Sequence, residues 1–180
     1  MARELSESDP VDAIALAWQR ERPDLPVQSI GVITRIWQAA KMLGDERTRL
    51  LREQGADTAT LDLLSTLRRS GQPYRLTTRE LGQAAMVTAG AISQRVERAE
   101  RAGLVRRANR PGSRTVDVEL TEAGHREVDR LVTEVLTREQ ALLAGLSPDG
   151  MSDLAESLQG LLEHLHGELG RTRPSQVGDG

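Results

Sequence analysis

Cysteine is absent from the 180-residue chain, and so is phenylalanine. Without thiols there are no disulfides, thiolate metal sites or cysteine nucleophiles. With Trp18, Trp37 and Tyr74 as the only aromatics, the core has to be built from Leu, Val, Ile and Ala. Lysine is nearly missing too: Lys41 stands alone beside 23 arginines, a bias on which no functional argument rests. No apolar run approaches the ~18 residues needed to span a bilayer. The opening MARELSESDP lacks the pattern of a signal peptide, so a cytoplasmic protein with no membrane partner is expected. Histidine occurs only at His125, His164 and His166, and the last two, at i and i+2, do not share a helical face. No metal-ligand spacing, nucleophile triad or phosphate-cradling glycine loop is present. The expectation is a protein that is not an enzyme and takes no cofactor and no metal.

What is there is unevenly charged. The chain carries a formal net charge of -3. Between Thr88 and Arg114, however, seven arginines (95, 98, 101, 106, 107, 110, 114) face two glutamates (97, 100), a local balance of +5 that leaves -8 for the remainder. A basic island on an acidic body reads as a local anion-binding face.

Helix signals run through most of the chain. Asp9-Pro10 is an N-cap followed by proline at the first helical position, and Val11, Ile14, Ala15 and Trp18 then recur on one face until Pro23 and Pro26. A long helix is predicted from about Val27 to Glu53, closed near Gly55, and a three-turn helix over TATLDLLSTLRRSG. Thr77 and Glu80 have capping-box spacing and open a short helix. After a three-residue turn, Thr88 caps another helix that Gly103 closes. The period then changes: LVRRA and RTVDVEL are short strand-like runs around the Pro-Gly turn of NRPGS, predicting a two-stranded hairpin with arginines at its tip. Thr121 and Ser147 start two closing helices. The second carries Leu154, Leu158, Leu161, Leu162, Leu165 and Leu169 in a stripe too apolar for solvent in so short a chain.

Helix, tight turn, helix and basic-tipped hairpin make a winged helix-turn-helix. The predicted class is mostly α, an α+β winged helix with N- and C-terminal helices forming a dimerisation region. Its parts are one domain over 1–170, an extra helix at 10–22, dimerisation helices at 26–53 and 121–169, the winged helix at 58–120 and a mobile tail at 171–180. On the reading helix, Ile92, Val96 and Ala99 cluster on one side. Thr88 at its N-terminus and the opposite side, Gly90, Ala91, Gln94 and Arg98, are the candidate DNA-binding residues. Gln94 is suited to adenine, Arg98 to guanine or phosphate, and Gly90 and Ala91 to close approach. Arg110 and Arg114 on the hairpin are placed for phosphate or minor groove. The expected partners are a second copy of the chain and duplex DNA carrying an inverted repeat, with half-sites about one turn apart.

The block LTTRELGQAAMVTAGAISQRVERAERAGLVRRANRPGSRTVDVELTEAG, with a helical region before it and two helices after, resembles the MarR family of winged-helix regulators over residues 10 to 168. The Gly-Leu-Val-Arg-Arg passage into the wing and LTEAG at the next helix are its most specific parts. The resemblance implies an intertwined homodimer that places two winged helices on DNA. Asn109-Arg110 stands where the family wing begins with Asp followed by Arg, so no carboxylate is available there for a wing-root ion pair.

An extra first helix with a Trp ahead of RERPDLP is similar to the urate-responsive PecS/HucR-type branch. The four residues that branch uses for ligand response would fall on Trp18, Asp62, Arg95 and Arg107. This implies a small anionic effector, urate first, held by Trp18 and Arg95 between the extra helix and the winged-helix lobe, with the Asp–Arg set passing its arrival to the reading helix. A repressor released by the anion is the expected function.

Blander readings stand beside these. Trp18 shares a face with Val11, Ile14 and Ala15, which taken alone favours packing over ligand contact. Asp62 sits away from the apolar centre of its helix, as a solvated carboxylate would, and Arg107 serves equally as a phosphate contact. Arg95 flanks the buried side of its helix, where a guanidinium needs a carboxylate or an anion. The same fold could answer a tricarboxylate instead, bind DNA constitutively, or act as an interaction module.

Overall fold

A computed structural model describes residues 5–85, 87–109 and 116–170. Seven helices and three strands occur among them, in two compact units, the first ending at Arg47 and the second beginning at Thr48.

In the first unit, α1 (Pro10–Glu21) starts where Asp9 Oδ1 accepts hydrogen bonds from the amides of Val11 and Asp12, at 2.9 and 3.0 Å. These satisfy amides that the first turn leaves without helical partners. The buried arc of α1 is Val11, Asp12 and Ala15, while Ile14 and Trp18 are 45% and 49% exposed. The four-residue apolar face read from the sequence is therefore split. The reason is ionic: Arg35 of α2 (Gln28–Glu53) draws the arc toward Asp12, meeting Asp9 at 2.7 Å and the fully buried Asp12 at 2.9 Å. The Ser6 amide donates to the other Asp12 oxygen at 3.1 Å. A buried carboxylate is tolerable only when paired and hydrogen-bonded in this way.

The second unit is built on α3 (Thr58–Arg69), whose Leu61, Leu63, Leu64 and Leu67 are at most 1% exposed. Leu63, Leu64 and Leu67 meet Leu81 of α4 (Thr78–Ala85), Ile92, Val96 and Ala99 of α5 (Ala89–Arg101), and Val128 of α6 (Glu122–Leu143) in one aliphatic core. A smaller cluster joins Leu51, Leu61, Leu131 and Val135. The last helix, α7 (Pro148–Leu169), buries no residue.

The hairpin expected from the sequence is present as β2 (Val105–Asn109) and β3 (Val116–Leu120), but it gains a third strand, β1 (Arg75–Thr77), giving the antiparallel order β1-β3-β2. A three-residue strand is too short to show alternation and exists only through its partner. Val118 and Leu120 fill the core. Glu119, on the other face and 6% exposed, lies opposite Arg75 on one side and Arg106 on the other, and pairs with both guanidinium groups.

Local caps start α4 and both start and end α5. Thr77 and Glu80 form the reciprocal capping box: the Thr77 amide donates to Glu80 Oε2 at 2.7 Å and the Glu80 amide to Thr77 Oγ1 at 3.1 Å. Thr88 caps α5 by accepting from Ala91 N at 3.3 Å, and Gly103 ends the helix in the left-handed region, φ 72°. The LTEAG stretch then locks this end to α6. Thr121 Oγ1 donates to the Gly103 carbonyl at 2.7 Å while accepting from the Gly124 amide at 3.0 Å. A Cβ on Gly124 would lie 2.0 Å from the Leu104 carbonyl oxygen, so only glycine lets the two segments approach this closely.

Candidate nucleic-acid interface and effector residues

Helix α5 presents two faces. Ile92, Val96 and Ala99 are buried in the core, and Thr88, Gly90, Gln94 and Arg98 are exposed on the other side, with Ala91 half-buried. Gly90 has no atom within 4 Å of the position a Cβ would take, so its backbone stands in open space. A small, polar N-terminal half of this kind can lie close to a base edge.

The basic residues of this region are not equivalent. Arg98, read as a DNA contact, is held by Asp57, the N-cap of α3, at 2.7 Å between Nη1 and Oδ2. Arg107 reaches back from β2 to Glu100 of α5: its Nη1 lies 2.8 Å from Oε2 and its amide donates to Oε1 at 3.3 Å. This pair ties the wing root to the end of the reading helix. Arg95 is half-buried, and its Nη1 is enclosed without a hydrogen-bond partner. Arg110 and Arg114 lie outside the described residues, as does the tail at 171–180.

The sequence reading counted Arg101 in the basic island without singling it out as a contact, and it passed over Arg79. Arg101 is exposed and has no acidic partner among the described residues. It sits seven residues, two turns, beyond Gln94, so the helical period carries the Gln94 stripe onto it. Arg79 in the first turn of α4 is likewise exposed and without an ion pair among the described residues. Asp57 was passed over as well, because nothing local to it points to α5. Burial by itself would raise its carboxyl, but hydrogen bonds from Thr60 and the nearby Arg98 charge hold it below the usual range.

Of the residues read as effector contacts, Trp18 borders a shallow apolar hollow of about 260 Å³ with Ile14, Ala17 and Glu21. Its ring is half exposed, at 49%, and stands outside the buried cores. Asp62 is 6% exposed, so it is not the solvated carboxylate that its helical position suggested. Its backbone carbonyl accepts from Thr66 Oγ1 at 2.7 Å. Within the second unit, then, Asp62 is in the core, Arg95 at its margin and Arg107 on the wing root. No group of three or more metal-ligating side chains occurs among the described residues, and no described helix is long and apolar enough to cross a membrane.

Comparison with known proteins gives a consistent result. Residues 55–114 match a family model described as MarR family. Over 166 residues the chain is 30% identical to the HTH-type transcriptional regulator PecS of Dickeya dadantii (strain 3937), covering 92% of this chain and 98% of that one. Among solved structures it is similar to Sco3205, a MarR family transcriptional regulator from Streptomyces coelicolor in complex with DNA. There the identity is 28%, the TM-score 0.64, and the match covers 77% of this chain and 92% of that one. AbsC, a MarR family transcriptional regulator from the same organism, matches in fold at 21% identity and TM-score 0.64, over 92% of this chain and 99% of its own.

Proposed function

The chain belongs to the MarR family of winged-helix DNA-binding transcriptional regulators, not enzymes, and from that premise we propose that it is a homodimeric repressor released from an inverted-repeat operator by a small anion, urate first. The observation that carries the DNA half is the exposed Gln94/Arg101 stripe of α5, which no carboxylate among the described residues neutralises. Gln94 offers a bidentate amide to a base edge. Arg101 meets phosphate, and Arg110 and Arg114 extend the contact from the wing. The dimer is supported by α7, whose Leu154, Leu158, Leu162, Leu165 and Leu169 are each 37–59% exposed along one helix with no buried residue. A second copy covers such a face at the lowest cost in new surface.

For the effector half, the supporting observation is the enclosed Nη1 of Arg95. A buried guanidinium nitrogen without an acceptor leaves a hydrogen bond to be made, and an anion makes it. Trp18 supplies a planar face of the kind a purine stacks on, and Asp62 and Arg107 relay occupancy to α5. Release depends on the ligand preferring the form that cannot bind DNA, and a tenfold loss of DNA affinity takes about 1.4 kcal/mol of that preference.

The test is a gel-shift titration of a selected operator duplex with urate, xanthine and citrate. Urate should release the wild type, Trp18→Ala and Arg95→Ala should abolish release, and Asp62→Asn should blunt it. Release by citrate alone would reassign the ligand class. If no anion acts at millimolar concentration, or if Trp18→Ala responds normally, the sensor reading falls.

A further inference from the structure

Asp57 occupies an unusual place for a helix cap. Its two carboxylate oxygens serve different elements: Oδ1 accepts from the Thr60 amide at 2.7 Å and starts α3, while Oδ2 holds Arg98 of α5 at 2.7 Å across 41 residues of sequence. Because the two tasks use separate oxygens, the Arg98 contact can open without unseating the cap. Both side chains are about half exposed, at 54% for Arg98 and 50% for Asp57, so a third group can reach the guanidinium.

A carboxylate oxygen and a phosphate oxygen compete for the same guanidinium N–H donors, and Asp57 presents only Oδ2 where a phosphate can present two oxygens. The contest here is close. A half-exposed ion pair contributes only about 0.2–1 kcal/mol, and a duplex brings a dense row of phosphates. Arg98 also stands one turn from Arg101 and Gln94, on the flank of the exposed stripe, within a side chain's length of whatever that stripe touches. Its neighbours on α5 differ in kind: Arg101 has no counterion among the described residues, and Arg95 is turned inward.

We propose that Asp57 is a built-in phosphate surrogate, a counterion that occupies Arg98 in the free protein and yields it to the DNA backbone on binding. The pair lowers DNA affinity by the free energy needed to open it. It also makes the strength of DNA binding depend on the distance between the start of α3 and the end of α5. Any event that spreads those two elements frees Arg98, and any event that presses them together withholds it. This inference rests on the DNA-binding reading of α5.

Asp57→Asn tests it cleanly, since asparagine caps a helix as well as aspartate does but carries no charge. Asp57→Ser is the second variant, capping through a hydroxyl. The probe is a fluorescent duplex recovered by in vitro selection with the wild-type protein, read by anisotropy across a salt series. Both variants should bind about two- to fivefold tighter than wild type at low salt, the gain shrinking as salt screens the pair. In an Arg98→Ala background the gain from Asp57→Asn should largely disappear, as a double-mutant cycle requires of two groups that act on each other. Equal gains in both backgrounds would mean that Asp57 merely repels DNA, and would overturn the proposal. Unchanged or weaker binding by the two variants would overturn it as well, the latter by making the pair a support for α5. A wild type for which selection recovers no duplex would instead remove the DNA-binding reading itself.

Discussion

The leucine stripe of α7 makes a quantitative demand. Leu158 and Leu162, one turn apart, are 39% and 52% exposed in a helix that buries nothing. Complete burial of a leucine contributes about 1.5–3 kcal/mol, so covering the exposed half of each contributes about 1 kcal/mol. In a twofold interface each leucine counts on both protomers, so the pair supplies about 4 kcal/mol to association, about a thousandfold in the dissociation constant. Leu158→Glu with Leu162→Glu removes that term and sets glutamates against an apolar surface, while glutamate remains a good helix former. Sedimentation equilibrium across micromolar concentrations should find the double variant monomeric where the wild type is dimeric, with far-UV circular dichroism nearly unchanged. A double variant that dimerises with the wild-type constant would refute the assignment of this face. A large loss of helix content would refute it too, by showing that the stripe serves folding of the single chain.

Two further outcomes are expected. Gln94→Ala should flatten sequence preference at one base pair by about 1–3 kcal/mol, whereas Arg101→Ala should weaken all duplexes alike and lower the salt slope by about 0.9, both read from competition binding. The converse pattern would mean that the stripe is turned differently on the DNA. The second concerns α1, where Asp9 is pulled down to about 2 chiefly by the Arg35 guanidinium, helped by the Asp12 and Val11 amides. A carboxylate depressed on folding stabilises the docked helix above its unfolded pKa of about 4, and that contribution is lost as pH falls through the folded value. Hydrogen exchange of α1 amides, corrected for intrinsic rates, should therefore hold level from pH 7 to 5 and rise between about pH 4 and 2. In Arg35→Ala exchange should already be fast at pH 7, and a variant protected like wild type would refute the role given to the Arg35 ion pairs.

Much of the architecture was legible in the chain because its signals are local. Asp9, Thr88, Thr121 and Ser147 cap helices where their spacing said they would, and Thr77 with Glu80 closes the capping box. Each of these is a contact over two or three residues, fixed by the backbone geometry of one turn. The strand β1 was missed for the converse reason: Arg75, Leu76 and Thr77 form a strand only because Glu119, Val118 and Asp117 lie beside them. The LTEAG stretch could be noticed as a pattern, but its cause, the approach of the Leu104 carbonyl to Gly124, needs both segments in place.

The sequence by itself determined where the helices begin and end, which face of α5 is apolar, and that arginine gathers around the wing, since period, caps and composition are properties of neighbouring residues. What each of those arginines is bound to was decided by the tertiary structure. Arg98 meets Asp57 and Arg107 meets Glu100, while Arg95 keeps a nitrogen enclosed without a partner. Trp18 stands half in solvent and Asp62 lies in the core, the opposite of what their own helices suggested. Charge pairing and burial depend on which distant segments the fold brings within a few ångströms, and no helical period encodes that.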